Sequence, residues 1–176
     1  DDEYLKESTV HLKALGLQTA AFVPGDLIRR GPLYEGLPTL EAHRNLPPSV
    51  GYIDLLDRFG IDTVFVGDPG VSEAEVERMR TFAMEDIIEV PCQLNSGYED
   101  YYDRVFTCRI DSPSWLVRAE ESRIYAGVSG RKEAPDPDVR NRVRGSITMD
   151  NEKYLRYCGE VQLMRKDLPA DPRVNV

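Results

Sequence analysis

Residues 24–44, PGDLIRRGPLYEGLPTLEAHR, concentrate charged and aromatic side chains that could bind an anionic ligand. Arg29 and Arg30 are adjacent cations in a chain of formal net charge −9, and guanidinium groups bind carboxylates or phosphates through paired hydrogen bonds. The stretch has no helical or strand period and is rich in glycine and proline, which predicts a long loop. Long loops are usually functional or disordered, and the apolar side chains in this one favour an ordered functional loop.

Two short apolar runs flank this loop and predict strands. QTAAFV (18–23) precedes the loop and DTVFVGD (62–68) follows it, and both runs are typical of strands buried on both faces of a parallel sheet. Helical patterns alternate with them, at residues 3–15, at 49–60 and from about residue 73. Ser72 and Glu75 form an S-x-x-E capping signal for the last helix. The alternation predicts parallel strands with helices packed outside.

Two parallel strands and three helices do not close a core, because a strand buried on both faces needs neighbours at both edges. A (β/α)8 barrel takes about 250 residues, so residues 1–85 are expected to be its carboxyl-terminal part, with strands 7 and 8 and their helices. The alternative is a small open three-layer sheet that is completed by strands from the second region. In either fold, Asp26 and Asp68 end their strands at the edge where active sites of such folds lie.

From about residue 86 the pattern changes to short β-branched or aromatic runs separated by polar, turn-rich stretches. The predicted strands are IIEVPCQLN (87–95), RVFTCRI (104–110), SRIYAGV (122–128), RVRGSITM (142–149) and YCGEVQLM (157–164). A short helix is expected around SPSWLVRAEE (112–121). The sequence thus predicts a second domain, residues 86–176, of mostly antiparallel strands.

Composition excludes several classes of function. The excess of Asp and Glu (31) over Lys and Arg (22) argues against general affinity for nucleic acid or an anionic membrane, and no run approaches the roughly 18 apolar residues of a membrane span. Cys92, Cys108 and Cys158 lack zinc-site spacing, and reduced thiols in a cytosolic protein are expected. With two histidines and no nucleotide-binding motif, neither a metal nor another cofactor is expected. Composition leaves the oligomeric state open.

Several long segments resemble the 6-phospho-N-acetylmuramidase (MupG) family, once described as "outer surface proteins" of unknown function. They are AFVPGD (21–26), RGPLYEGLPTLEAHR (30–44), VFVGD (64–68) and GSITMDNEKYLRYCGEVQLMRKDLPADPRVNV (145–176). The resemblance is to the carboxyl half of the family and implies the last part of a TIM (β/α)8 barrel followed by a cyclophilin-like β domain. It also implies a cytoplasmic bacterial glycosidase of peptidoglycan recycling. The substrate implied is a small disaccharide, 6-phospho-N-acetylmuramyl-N-acetylglucosamine, cleaved at its β-1,4 bond.

In barrels the loops after strands seven and eight are the usual phosphate site, which places the loop at residues 24–44 beside the substrate. Arg30 is expected to bind the sugar phosphate, or else to pair with Asp26 or Glu35, and Gly31 permits close approach of the backbone. The substrate-binding residues predicted on this basis are Arg30, Gly31, Tyr34, Glu35, His43, Arg44 and Arg109. Tyr34 could stack on a sugar ring or anchor the loop, and His43 could instead be hydrogen-bonded within it.

Arg109 belongs to a second matching stretch, together with Asp111 and Arg118. Phe106 and Cys108 stand where the family usually has a histidine and an asparagine, so a substrate contact is not expected from those two positions. The arginine and the aspartate of this stretch remain as the family has them.

Glycoside hydrolysis needs one protonated and one ionised carboxyl group, whose separation decides between retention and inversion. Asp26 and Asp68 are the candidates, although either could instead cap a helix or pair with an arginine. Because most barrel strands are absent, this chain by itself is expected to be inactive. Two other classes remain open. One is a non-catalytic carbohydrate- or phosphosugar-binding module, in which the β domain recognises the ligand. The other is an isomerase or aldolase-like barrel enzyme, whose Schiff-base form is disfavoured because no lysine lies between Lys13 and Lys132.

Overall fold

The computed structural model describes residues 1–122 and 131–176. The chain divides into an N-terminal unit, Asp1–Gln93, and a C-terminal unit, Leu94–Val176. The N-terminal unit contains, in chain order, α1 (Asp2–Ala14), β1 (Ala20–Val23), a 3-10 turn (Glu41–His43), α2 (Pro48–Asp57), β2 (Thr63–Val66) and α3 (Glu73–Glu85). The three predicted helices and both predicted strands of this half are therefore confirmed.

The N-terminal unit is built on two parallel strands. β1 and β2 pair in register from Ala20 opposite Thr63 to Val23 opposite Val66. A hydrophobic core of Ala21, Val23, Leu40, Leu55, Phe59 and Ile61 lies on one side of this pair. Ser72 caps α3 by accepting a hydrogen bond from the Glu75 amide at 3.3 Å, as the capping signal predicts. The Glu75 carboxylate is used elsewhere, because it accepts the Ser49 amide at 2.8 Å and so fastens the start of α2 to α3.

The other face of the β1–β2 pair is open to solvent. Phe22 is 41% exposed and Phe65 51% exposed, and their ring centroids lie 5.8 Å apart on adjacent strands. The prediction that both strands are buried on both faces is wrong for this unit. The unit covers only one face of the pair, so side chains alternate between the core and water.

The C-terminal unit is built on a four-stranded sheet of order β3-β5-β4-β6, in which every pairing is antiparallel, as predicted. Its strands are β3 (Leu116–Arg118), β4 (Ile147–Asp150), β5 (Val161–Met164) and β6 (Val174–Asn175), and 3-10 segments cover Glu99–Tyr101 and Glu152–Tyr157. Within the described residues neither sheet closes into a barrel.

Sequence runs located these strands only in part. β4 and β5 fall in two predicted runs, whereas residues 87–95 form no strand and residues 104–110 contribute one isolated bridge, from Cys108 to Ala119. Residues 116–118, expected to be helical, form β3, because Leu116, Val117 and Arg118 pair with β5. Nearly all of the run at 122–128 lies outside the described residues. Across the described parts of the chain, every helix is too short or too polar to span a bilayer.

Candidate functional site

The Asp68 carboxylate organises the loop between β1 and α2. Asp68 follows β2 and is 8% exposed. Its Oδ2 accepts the amides of Gly25 at 2.8 Å and Leu37 at 3.2 Å, and its Oδ1 accepts the amide of Arg30 at 2.9 Å. Burial tends to raise the pKa of Asp68, but these three hydrogen bonds outweigh it and hold the pKa below its usual value. One ionised side chain therefore fixes three points of the loop.

Two arginines stabilise the loop from within. Arg44 donates from Nη1 to the carbonyl oxygens of Glu35 at 3.0 Å and Gly36 at 2.9 Å, and its Nη2 lies 2.6 Å from Glu41 Oε2. Arg29 donates from Nη1 to the same Glu35 carbonyl at 3.2 Å. The guanidinium groups of both residues are thus engaged by the loop itself.

Arg30 differs from Arg29 and Arg44 because its side chain is exposed. Its backbone is fixed at both ends: the amide binds Asp68, and the carbonyl accepts the Tyr34 amide at 3.1 Å. Its guanidinium makes no hydrogen bond or ion pair with any residue that the structure describes. A cation on a fixed backbone with all its donors available is suited to bind an anion.

Tyr34 lies beside Arg30 with its ring at Gly31. The phenol is 69% exposed, and a Cβ placed on Gly31 would lie 3.3 Å from both Tyr34 Cζ and the hydroxyl oxygen. Tyr34 has φ +58°, a left-handed conformation that costs a non-glycine residue about 1–2 kcal/mol. The tip of the loop therefore exposes both an aromatic ring and a guanidinium without a partner among the described residues.

The base of the loop is packed so closely that glycine is required. A Cβ on Gly25 would lie 2.1 Å from the Gly70 carbonyl oxygen and 3.0 Å from Asp68 Cβ. The Leu27 amide also donates to this Gly70 carbonyl, at 3.3 Å. The turn after β2 thus holds the start of the loop through backbone contacts.

Gly25→Ala is expected to destabilise the N-terminal unit by about 2 kcal/mol, because the new methyl group would displace the backbone of the turn after β2. Urea unfolding followed by the helical circular-dichroism signal measures this loss. Gly16→Ala is the control, since a Cβ there meets no atom within 4 Å and only φ +75° opposes it. A loss no larger than that of the control would contradict the close approach.

The other predicted residues of the loop have structural contacts. Asp26 Oδ1 accepts the Ser72 amide at 2.7 Å and so caps the start of α3. Burial tends to raise the pKa of Asp26, but hydrogen bonds from Ser72 keep it below its usual value. His43 is 3% exposed, with Nε2 2.8 Å from Asp54 Oδ2, so its imidazole anchors the loop to α2. Glu35 is exposed and contributes its carbonyl oxygen to the loop's hydrogen bonds.

Arg109 lies in the C-terminal unit and is ion-paired. Its Nε and Nη2 bind the two carboxylate oxygens of Asp111 at 2.8 and 2.7 Å. Arg118 binds Glu160 in the same two-pronged way, at 2.6 and 3.0 Å. Both guanidinium groups are thus already paired with carboxylates, whereas that of Arg30 has no partner among the described residues. Among the described residues no three His, Cys, Asp or Glu side chains are grouped so that they could hold a metal ion.

The N-terminal unit is a parallel β/α unit with a long loop after β1, and the C-terminal unit is antiparallel β. The chain is therefore a two-unit protein of the α/β-plus-β class. The family models for the N-terminal and C-terminal parts of 6-phospho-N-acetylmuramidase match residues 1–81 and 88–176. The chain belongs to the 6-phospho-N-acetylmuramidase family. A search of the curated proteins finds no match.

Two solved structures resemble the chain. A conserved protein of unknown function from a locus in Enterococcus faecalis is 35% identical over 98% of this chain, with a TM-score of 0.80. An uncharacterized B. cereus protein is 25% identical over 95% of the chain, with a TM-score of 0.66. The alignments cover 46% and 49% of those proteins, so the chain spans about half the length of the solved structures it matches.

Proposed function

We propose that this chain is part of a cytoplasmic glycosidase that cleaves the β-1,4 bond of 6-phospho-N-acetylmuramyl-N-acetylglucosamine in peptidoglycan recycling, and that Arg30 binds the 6-phosphate. Membership of the 6-phospho-N-acetylmuramidase family supports the activity. The observation that carries the phosphate site is the exposed Arg30 guanidinium on a backbone fixed by Asp68. The exposed ring of Tyr34, beside Gly31, is the group that we propose stacks on the phosphorylated sugar.

The contacts of the loop determine how the phosphate would be held. The amides of Gly25, Arg30 and Leu37 are already bound to Asp68, so those three are not available to a phosphate. Recognition therefore falls on the Arg30 side chain, which can offer two parallel donors to two phosphate oxygens. Arg44 and the carbonyl oxygen of Glu35 hold the loop together and His43 anchors it to α2, so we assign these residues a supporting role without direct contact to the phosphate.

Catalysis in this family of reactions needs a protonated acid and an ionised partner. Asp26 and Asp68 both have a pKa held below its usual value, which suits an ionised nucleophile or base and not a general acid. Asp26 is the better placed of the two because it is exposed and only its Oδ1 is hydrogen-bonded. We therefore assign the general acid to a residue in the part of the longer protein that corresponds to the unmatched half of the solved relatives. We expect this chain alone to be inactive.

The fold proposed for the complete enzyme is a (β/α)8 barrel followed by a cyclophilin-like β domain. Two observations support the barrel. β1 and β2 pair in parallel, and Phe22 and Phe65 are exposed on the open face of this strand pair. Side chains at such positions fill the interior of a closed barrel. The solved relatives, which are about twice as long, have sufficient chain to supply further strands.

A direct test compares ligands that differ only in the phosphate. Calorimetric titration of the 176-residue chain is expected to show binding of N-acetylmuramic acid 6-phosphate at least tenfold tighter than that of N-acetylmuramic acid. Inorganic phosphate serves as a third ligand and should bind more weakly than the phosphosugar, since it lacks the ring that Tyr34 contacts. Equal affinity for the phosphorylated and unphosphorylated sugars would overturn the phosphate site.

The alternative function is a non-catalytic phosphosugar-binding module, which the free Arg30 guanidinium would serve equally well. An assay of hydrolysis of the phosphorylated disaccharide distinguishes the glycosidase from the binding module. The longer protein of the family is expected to release N-acetylglucosamine, whereas the 176-residue chain is expected to bind without hydrolysis. Binding by both without hydrolysis by either would favour the binding module.

A further inference from the structure

A cluster of buried polar side chains lies on one face of the C-terminal sheet. Gln162 of β5 pairs across the sheet with Arg118 of β3 and Thr148 of β4, so these three side chains share a face. Asp150 and Glu160 each lie two residues from a member of this set, and the alternation of strands places them on the same face. Asp150 is 2% exposed and Glu160 1% exposed. Two carboxyl groups are therefore buried within one polar cluster.

The two carboxyl groups have different partners. Glu160 binds the Arg118 guanidinium through both oxygens, at 2.6 and 3.0 Å. Both oxygens of Asp150 instead lie 3.3 Å from Nε2 of Gln162, which is also 3.2 Å from Glu160 Oε1. No side chain in the described parts of the chain forms an ion pair with Asp150. Asp150 is thus a buried carboxyl group whose side-chain partner is a neutral amide.

An ionised carboxylate in this position would be costly, because burial removes its hydration and the amide only partly replaces it. Burial and the neighbouring Glu160 raise the pKa of Asp150 to about 7. Among the other charged groups that act on Asp150, Asp171 also opposes its ionisation, whereas Arg118, Arg142 and Arg173 favour it. The cations near Asp150 do not compensate for its burial.

We propose that Asp150 takes up a proton when the C-terminal unit folds in mild acid and releases it as the pH rises to neutrality, so that the β4–β5 pair is a pH-sensitive element that loosens between mildly acidic and neutral pH. An aspartate in an unfolded chain loses its proton at a pH of about 4. Between that pH and about 7 the folded unit therefore binds more protons than the unfolded chain. Each pH unit in this interval should favour unfolding by up to about tenfold.

The chain offers a specific probe for the C-terminal unit. Trp115 is the single tryptophan of the sequence, and its carbonyl oxygen accepts the amides of Arg165 at 2.8 Å and Lys166 at 3.2 Å, directly after β5. Its fluorescence therefore reports unfolding of this sheet. Both histidines, His11 and His43, lie in the N-terminal unit, so no imidazole of the C-terminal unit titrates in the same interval.

The experiment is urea unfolding of the full 176-residue chain followed by Trp115 fluorescence at pH values from about 5 to 7.5. The wild-type midpoint is expected to fall steadily as the pH rises. Asp150→Asn should remove most of this dependence and should be more stable than wild type at the upper end of this range, where the wild-type carboxyl group is ionised. Asp138→Asn is the matched control, because the Asp138 carboxylate is exposed and pairs with Arg140 at 2.8 Å. The unfolding midpoint of this variant should depend on pH as that of the wild type does.

Two results would overturn the proposal: a wild-type midpoint that does not change over this interval, or an Asp150→Asn midpoint with the wild-type slope. If Asp150→Asn fails to fold, the pH dependence of the wild-type unfolding midpoint still tests the proposal. The side-chain carbon of Asp150 can be followed by nuclear magnetic resonance in isotope-labelled protein. Titration near pH 7 would support the proposal, and titration near the ordinary value for aspartate would exclude it.

Discussion

Arg30→Ala is expected to weaken binding of N-acetylmuramic acid 6-phosphate by about 30- to 100-fold while leaving the affinity for the unphosphorylated sugar unchanged. The variant removes a guanidinium that no described residue engages, and a charge-assisted hydrogen-bonded contact contributes about 2–3 kcal/mol. Arg30→Lys keeps the charge but loses the two-pronged geometry, so an intermediate loss is expected. Calorimetric titration of both sugars measures these differences.

Arg80→Ala is the matched control for this experiment. Arg80 is an exposed arginine of α3 that pairs with Glu77 at 2.8 Å, so its loss should change neither affinity. Equal weakening of both sugars by Arg30→Ala would indicate damage to the loop instead of loss of a phosphate contact. Unchanged affinity for the phosphosugar would remove Arg30 from the site.

Asp68→Ala is expected to destabilise the N-terminal unit by about 3 kcal/mol or more and to abolish phosphosugar binding. The substitution leaves the amides of Gly25, Arg30 and Leu37 without their acceptor, and each buried donor left unsatisfied costs about 1–3 kcal/mol. Asp68→Asn retains one acceptor oxygen, so a smaller loss is expected. Urea unfolding followed by the helical circular-dichroism signal measures the stability of this unit.

Asp57→Ala provides the comparison, because Asp57 is exposed at the end of α2, where substitutions usually change stability by less than about 0.5 kcal/mol. The wild-type contribution of Asp68 should also depend on pH. Its pKa is lowered on folding, so the stabilisation is present above about pH 4 and is lost as the pH falls through the folded value. An Asp68→Ala variant as stable as Asp57→Ala would exclude the organising role.

These pH dependences have opposite signs in the two units. Acid removes the contribution of Asp68 to the N-terminal unit, whereas a rise in pH from about 4 to about 7 removes the contribution of protonated Asp150 to the C-terminal unit. The two residues differ in their partners: three backbone amides hold the Asp68 carboxylate ionised, and a single neutral amide contacts Asp150. Helical circular dichroism and Trp115 fluorescence can follow the two contributions separately in one sample.

The elements of the N-terminal unit were predictable from local sequence. α1, α2 and α3 carry apolar periodicity, and Ser72 marks the start of α3 by its capping position. β1 and β2 are short apolar runs that end at the turn signals of Pro24-Gly25 and Gly67-Asp68. In the C-terminal unit the four-residue strands β4 and β5 fall in predicted runs, whereas β3 and β6, with three and two residues, were not predicted. Segments this short carry too little periodicity to be distinguished from a helical turn or an extended loop.

The sequence alone determined the family, the alternation of helices and strands, and the loop at residues 24–44 as the position of the candidate site. Motifs and local periodicity depend on residues that are neighbours in the chain, so they can be identified without the structure. Only the tertiary structure decided that Arg30 is free while Arg29 and Arg44 bind the loop's own carbonyl oxygens. It also decided that Asp68 binds loop amides up to 43 positions away in the sequence. Hydrogen-bond partners and burial depend on residues distant in the chain, and no local pattern of side chains encodes them.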